Sequence, residues 1–203
     1  MNLFFRPLGR RAVWGALVVG SLLAGCAAPP APAVAQRELV VAVTSAHELI
    51  TFNAGQPDRI LERRPVTGLA AGERLVGIDF RVARGVLYAL SQSGRLYTLD
   101  IPTGALRPVG PAPAALALNG TSFGFDFNPA ADRIRVVANT GQNLRLHPDT
   151  GAAVDGDPAV DGVQPDPALR YAAGDVNASR APDIAGAAYT YNTQDSKLTT
   201  NYA

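Results

Sequence analysis

The sequence predicts an all-β fold: a β-propeller-like repeat array with four short strands per blade, incomplete in this chain. Three observations predict it. A phrase that opens "GIDF" at Gly77 returns as "GFDF" at Gly124, 47 positions later. Within one such period the local signals are all strand and turn. Several strands are apolar at consecutive positions, as in Val86 to Leu90, which suits sheets covered on both faces by neighbours. A fixed period of about 40–50 residues marks a repeat array, and four short antiparallel strands per period describe a propeller blade. A β-sandwich is the alternative, but it requires no constant period.

Taken in order, the first 25 residues stand apart from this pattern. "MNLFFRPLGRR" carries Arg6, Arg10 and Arg11, and "AVWGALVVGSLL" is an apolar run of secretory-signal length. It is short for a transmembrane helix, which needs about 20 apolar residues. "LAGC" at Leu23 to Cys26 has the shape of a bacterial lipobox. By that resemblance residues 1–25 are a lipoprotein signal peptide, and Cys26 is the lipid attachment site and the mature N-terminus. An ordinary cleaved signal with a stray thiol is the competing reading. Cys26 is the single cysteine, so its lipidation leaves the exported domain without a disulfide or a thiol nucleophile. Residues 26–36 form an Ala/Pro-rich tether with nothing to bury, extended and semi-rigid. Ala27 and Ala28, with no acidic residue, directly follow the cysteine, which by resemblance to bacterial sorting rules favours the outer membrane.

Residues 37–203 are assigned to the repeat domain. Aligned without gaps at an offset of 47, the two phrases match Gly77 with Gly124, Asp79 with Asp126, Phe80 with Phe127, Gly94 with Gly141, Leu99 with Leu146 and Gly104 with Gly151. "LVVAVTSAHELITF" at Leu39 to Phe52 falls on Val86 to Leu99 at the same offset. Strands are expected over Arg74 to Arg81, Val86 to Ser91, Arg95 to Asp100 and Ala105 to Gly110, separated by the turn clusters "VARG", "QSG" and "IPTG". Gly104 and Gly151 suit the left-handed position that closes a tight hairpin. "GAAY" at Gly186 is a fourth copy that arrives 62 positions after Gly124, so fifteen extra residues precede it. The stretch that contains them, from Ala152 to Ala185, is acidic and Pro-punctuated, and is expected to be a mobile loop. The array therefore holds three units and the opening of a fourth, which reads as a fragment of a longer repeat domain, the alternative being a domain that closes by pairing with another chain.

"GFDFNPAADRIRVVANTGQNLRLHPDTG", preceded by "LVGIDFRVARGVLYALSQSGRLYTLDIPTG" and followed by "AAYTYN", resembles the bacterial exported family called domain of unknown function 4394. The resemblance covers roughly Glu38 to the end, and "TGQNLRLHPDTG" is its most specific element. It implies an exported, propeller-like domain and carries no reaction, cofactor or catalytic residue with it.

The side chains themselves speak weakly for chemistry. His47 and His147 lie far apart at turn positions, without a second ligand at zinc spacing. No nucleophile elbow or phosphate-cradling loop occurs. Asp79 and Asp126 each interrupt an apolar strand, and a buried carboxylate is costly unless it is hydrogen-bonded. The preferred reading is that they tie neighbouring sheets together; the sharper one puts both in a central channel around a cation, in a ring that Ala188 would break. Asp155, Asp157, Asp161 and Asp166 form an acidic loop with some likeness to calcium ligands but without EF-hand spacing. No catalytic, cofactor or metal residue is assigned.

With 47% apolar and 17% charged residues the chain can bury a core, and a net charge of +1 gives no electrostatic footprint for nucleic acid. The function expected is a lipid-anchored, extracytoplasmic module that binds or scaffolds in the cell envelope. Its partners are the membrane, through the lipid, and an unspecified protein or glycan. The alternative is an envelope hydrolase acting on polysaccharide or peptide through paired carboxylates, and a third reading is a purely structural envelope protein.

Overall fold

Four small antiparallel sheets follow one another along the chain, and no helix occurs among the described residues. The computed structural model describes residues 38–111, 117–195 and 197–203. The assigned signal peptide, Cys26 and the tether lie outside the described residues.

The first sheet contains β1 (Leu39–Val43), β2 (Glu48–Asn53) and β3 (Gln56–Pro65) in that order. The second runs β4 (Leu75–Arg81), β5 (Val86–Ser91), β6 (Leu96–Asp100) and β7 (Ala105–Pro108). The third contains β8 (Phe123–Asn128), β9 (Arg133–Ala138) and β10 (Asn143–Leu146). The last pairs β11 (Ala188–Tyr189) with β12 (Asn201–Tyr202). Each is a meander, with sequence neighbours hydrogen-bonded side by side.

One register recurs at the 47-residue offset. Asp79 faces Tyr88 across β4 and β5, and Asp126 faces Arg135 across β8 and β9. Leu87 opposite Leu99 becomes Ile134 opposite Leu146 one offset later, and Val40 opposite Phe52 one offset earlier. The first sheet thus corresponds to the second without its first strand. The third sheet reduces its fourth strand to a single bridge between Leu146 and Ala153. Both Gly104 and Gly151 sit at positive φ, 73° and 70°, where a side chain is strained, and each donates its N–H back across its turn, to Asp100 and to His147.

Alternation along β5 explains its unbroken apolar run. Leu87 and Ala89 pack with Leu49 of the first sheet, together with Tyr97, Leu99 and Leu106. Tyr88 and Leu90 point the other way, into a second cluster with Phe125, Phe127, Ile134, Val136, Leu144 and Leu146 of the third sheet. The rings of Tyr88 and Phe127 meet edge to face, 5.1 Å between centroids. The second sheet is therefore covered on both faces, and each fully buried aliphatic side chain contributes about 1.5–3 kcal/mol. The outer strand β3 is instead exposed and charged, with Asp58, Arg59, Glu62, Arg63 and Arg64, a composition that discourages edge-to-edge pairing.

The repeated glycine that opens each phrase is explained by proximity rather than by its backbone angle. A Cβ on Gly77 would be driven into Phe125 of the next sheet. At Gly124 it would lie 2.5 Å from the backbone nitrogen of Ala187 and 2.6 Å from the carbonyl carbon of Gly186. At Gly186, the corresponding glycine of the late copy, nothing described stands within 4 Å. Gly124→Ala is accordingly expected to lower stability by about 1–3 kcal/mol, the cost of overpacking. Gly186→Ala should stay within about 0.5 kcal/mol of wild type. Denaturant midpoints of the two variants check this, and equal losses would remove the close-approach explanation.

Candidate functional site

β4, β8 and β11 lie next to one another as the first strands of three consecutive sheets, and side chains at one end of them frame a cavity of about 290 Å³. Two carboxyls at equivalent positions build its polar side. Asp79 Oδ2 accepts the N–H of Phe127 at 2.7 Å, and Asp126 Oδ2 accepts the N–H of Tyr189 at 2.7 Å. Each tie runs from one first strand to the backbone of the next, which is the sheet-linking role expected for these residues. The second tie lands on Tyr189, the residue after Ala188, just as the first lands on the residue after Asp126.

The two carboxyls also stand within hydrogen-bonding reach of each other. Burial raises Asp79 above the usual carboxylate range, against the N–H groups of Phe127 and Phe80 and the hydrogen bond from Asp126. Burial likewise pushes Asp126 up to about 7, with the N–H of Tyr189 opposing and the charge and hydrogen bond of Asp79 adding to it. Two half-buried carboxyls in contact do not both ionise readily, so double ionisation of the pair is disfavoured toward neutral pH.

The rest of the wall is aromatic and apolar: Phe80, Val82, Phe127, Pro129, Tyr189 and Tyr191. Arg81, Ala83, Asn128 and Asp132 complete it. Arg81 is buried at the end of β4 and donates from Nε to Asp132 Oδ1 at 2.8 Å and from Nη2 to Asp132 Oδ2 at 2.5 Å. Its Nη1 donates to Asp149 at 2.5 Å. These bonds hold the guanidinium charged, above its ordinary pKa, and they hold Asp132 and Asp149 below theirs. The "NPAAD" turn delivers Asp132 in a left-handed conformation, φ 49°, stabilised by Asn128, whose Oδ1 accepts the N–H groups of Ala130 and Ala131. Sequence reasoning missed this cluster; its one signal was an arginine directly after an apolar strand.

Behind Tyr189 lies a second missed cluster. Asp166 accepts from Arg135 at 2.5 Å and from Arg145 Nε and Nη2 at 2.7–3.0 Å. Burial alone would raise Asp166, but the two arginines override it and leave the group below its usual value. Arg135 also donates to the hydroxyl of Tyr189 at 3.2 Å. Residues 152–185, expected to be a mobile acidic loop, are thus fastened to the third sheet. Leu169 donates its N–H to Gly141, Asn143 donates its side-chain amide to Pro167, and Ile184 is buried. Asp155 Oδ1 caps its own turn by accepting from Asp157 and Gln164, and Asp157 accepts from Ala159. Among the described residues no group of three or more His, Cys, Asp or Glu is placed to hold a metal ion. His47 and His147 occupy turns of different sheets; His147 Nδ1 accepts the N–H of Asp149.

With this geometry in place, the comparison with known families is decisive at the level of membership. Residues 48–203 match the family model described as Domain of unknown function (DUF4394). The chain belongs to that family. No curated protein matches it. The DUF4394 span includes both carboxylate ties, the whole cavity wall and the fastened insert.

The raised carboxyl pair fixes a direction for pH dependence. A carboxyl raised in the fold contributes stability that is fully present below its unfolded pKa, near 4, and is lost as pH rises through the folded value, near 7. Asp132, Asp149 and Asp166 are lowered, so their contribution is lost in the opposite direction, as pH falls below about 4. Between pH 5 and 8 the thermal midpoint of this DUF4394 domain is therefore expected to fall by several degrees. Asp126→Asn, whose amide oxygen still accepts from Tyr189, should flatten that slope; an unchanged slope would show that the pair is not raised.

Asp166→Ala strands two partly buried guanidinium groups and should cost about 2–4 kcal/mol. It should also open residues 152–185 to limited proteolysis. Cleavage no faster than in wild type would mean that the backbone contacts alone hold the insert.

Proposed function

We propose that this chain is a lipid-anchored, extracytoplasmic, β-propeller-like module whose work is binding in the cell envelope. Four observations support the propeller-like reading: the recurring register, meander sheets in succession, first strands β4, β8 and β11 side by side, and one carboxylate-to-backbone tie repeated between them. Export and anchoring rest on the sequence at Leu23 to Cys26. The observation that carries the binding reading is the cavity: it gathers aromatic rings and an acidic pair where the first strands of successive sheets converge.

The hydrolase reading asks more of the same pair. Glycosidase carboxyls stand about 5–5.5 Å apart in retaining enzymes and about 6.5–9.5 Å apart in inverting ones. Asp79 and Asp126 lie within hydrogen-bonding reach of each other, and each is also bound to a backbone N–H. That arrangement suits an anchoring and recognition role better than a nucleophile and acid on opposite sides of a bond.

Two experiments test the two halves of the proposal. Cys26→Ala is expected to abolish the acyl mass of the mature protein and release it from the membrane fraction. A variant that still sediments with membranes, beside a wild type lacking acyl mass, would remove the anchor. For binding, small molecules from envelope extract should raise the thermal midpoint of wild type but not of Ala83→Trp, which fills the cavity from an exposed turn. Equal shifts in both would place binding elsewhere.

A further inference from the structure

The cavity wall is selective in what it leaves available. Arg81 has its donors engaged by Asp132 and Asp149, with Tyr88 Oη at 3.5 Å, so its charge is already balanced. Asn128 Oδ1 is taken by two backbone N–H groups of its own turn. Oδ2 of Asp79 and Oδ2 of Asp126 each accept a backbone N–H from the next first strand, and the two carboxyls stand beside each other at the cavity. A neutral polyol would find few uncommitted partners here. A calcium ion takes six to eight oxygens, and the described residues bring no third metal-ligating group to the pair.

What remains is one acidic pair bordered by rings. Burial raises the carboxyls of both Asp79 and Asp126, which disfavours ionising the two together. Tyr189 is clamped at both ends, its N–H on Asp126 and its hydroxyl on Arg135, so its ring is pre-positioned before any ligand arrives. Tyr191 is half exposed and lines the cavity, whereas Phe127 packs its ring in the core against Tyr88 and Phe80 packs against the other core cluster. Carboxylates combined with aromatic faces in a partly desolvated cavity are the recognition elements of organic ammonium groups.

We propose that the cavity between β4, β8 and β11 binds a small organic cation, an amine or quaternary ammonium group, held between the carboxyls of Asp79 and Asp126 and the rings of Tyr189 and Tyr191. The inference rests on the binding reading above and narrows it to a ligand class. At about 290 Å³ the cavity lies at the small end of ligand sites, which favours a compact headgroup over a polymer segment. The charged and titratable groups around the ligand are Asp79 and Arg81 from β4, Asp126 from β8, Asp132 from the turn after it, and Tyr189 and Tyr191 from β11 and beyond. A bound cation stabilises the doubly ionised pair, so binding near neutral pH releases a proton and tightens as pH rises.

Isothermal titration of the full-length chain in non-ionic detergent tests this, with choline and n-butylammonium as probes and glucose and calcium chloride as comparators. Saturable binding of the two cations is expected, with buffer-dependent heat at pH 7 that reports proton release. Asp126→Asn and Tyr191→Ala should each weaken it by about tenfold, and Ala83→Trp should abolish it. Phosphocholine separates the sources of the ligand: affinity equal to choline points to a lipid headgroup, weaker affinity to a free amine, and either supports the proposal. Cation binding that survives both Asp126→Asn and Ala83→Trp overturns it, as does calcium in place of the organic probes. Cavity-dependent binding of glucose alone overturns the cation and leaves the binding reading standing. If no probe binds in an Ala83-sensitive way the inference falls, while the extract screen still decides the broader reading.

Discussion

A carboxylate on the first strand of one sheet accepting a backbone N–H from the first strand of the next is the interaction on which the rest of this structure depends. It occurs between Asp79 and Phe127 and again between Asp126 and Tyr189, at the same length. Strands of different sheets have no ladder to align them, and apolar packing between sheets is tolerant of sliding. A hydrogen bond to a charged acceptor is directional and is worth about 1.5–3 kcal/mol, enough to select one alignment among several. Glycine at Gly77 and Gly124 makes the bond possible by letting the next sheet approach closely. The phrase "G-x-D-F" is thus a single device: the glycine sets the distance, the aspartate the register, and the phenylalanine enters or borders the core.

That device has an electrostatic consequence. Because both ties sit at the same level on adjacent strands, the two aspartates are brought into contact while each is partly removed from water. Separately placed, each could stay ionised on its N–H donor. Side by side and partly buried, both are raised above the usual carboxylate range, so ionising the two together is disfavoured. The same convergence that joins the sheets therefore creates the polar end of the cavity. A structural requirement and a recognition surface share one pair of residues.

The architecture was legible in the sequence because it repeats. A fixed offset needs no knowledge of three-dimensional contacts, and it placed β1, β2, the strands of the second sheet, their copies in the third and the matched glycines, but not β3. The incomplete propeller-like array that the offset suggested remains the proposed arrangement, since the described strands form small separate sheets. The polar clusters were illegible for the opposite reason. Arg81 meets Asp132 and Asp149, and Arg135 and Arg145 meet Asp166, across 21 to 68 positions without any recurrence at 47. Nothing in local composition distinguishes Arg135 and Arg145 from the exposed arginines on β3. The acidic insert was misread for the same reason: Asp166 looks like one more solvated carboxylate until the two arginines that hold it are placed beside it.

The insert also shows how a repeat absorbs fifteen additional residues without losing its alignment. Between Gly124 and Gly186 the spacing grows from 47 to 62, yet the tie from Asp126 still reaches the residue one past the repeated aspartate position. Such an excursion raises the loop-closure entropy only slowly with length. What it threatens is the placement of β11, a two-residue strand with little ladder of its own. Asp166 answers this by holding Arg135 and Arg145 from the middle of the excursion, and Arg135 in turn holds the hydroxyl of Tyr189. Tyr189 is then fixed from two directions, by the first-strand carboxylate at its backbone and by the insert's arginine at its ring. The excursion that could have loosened the array at β11 is the element that secures the cavity wall there.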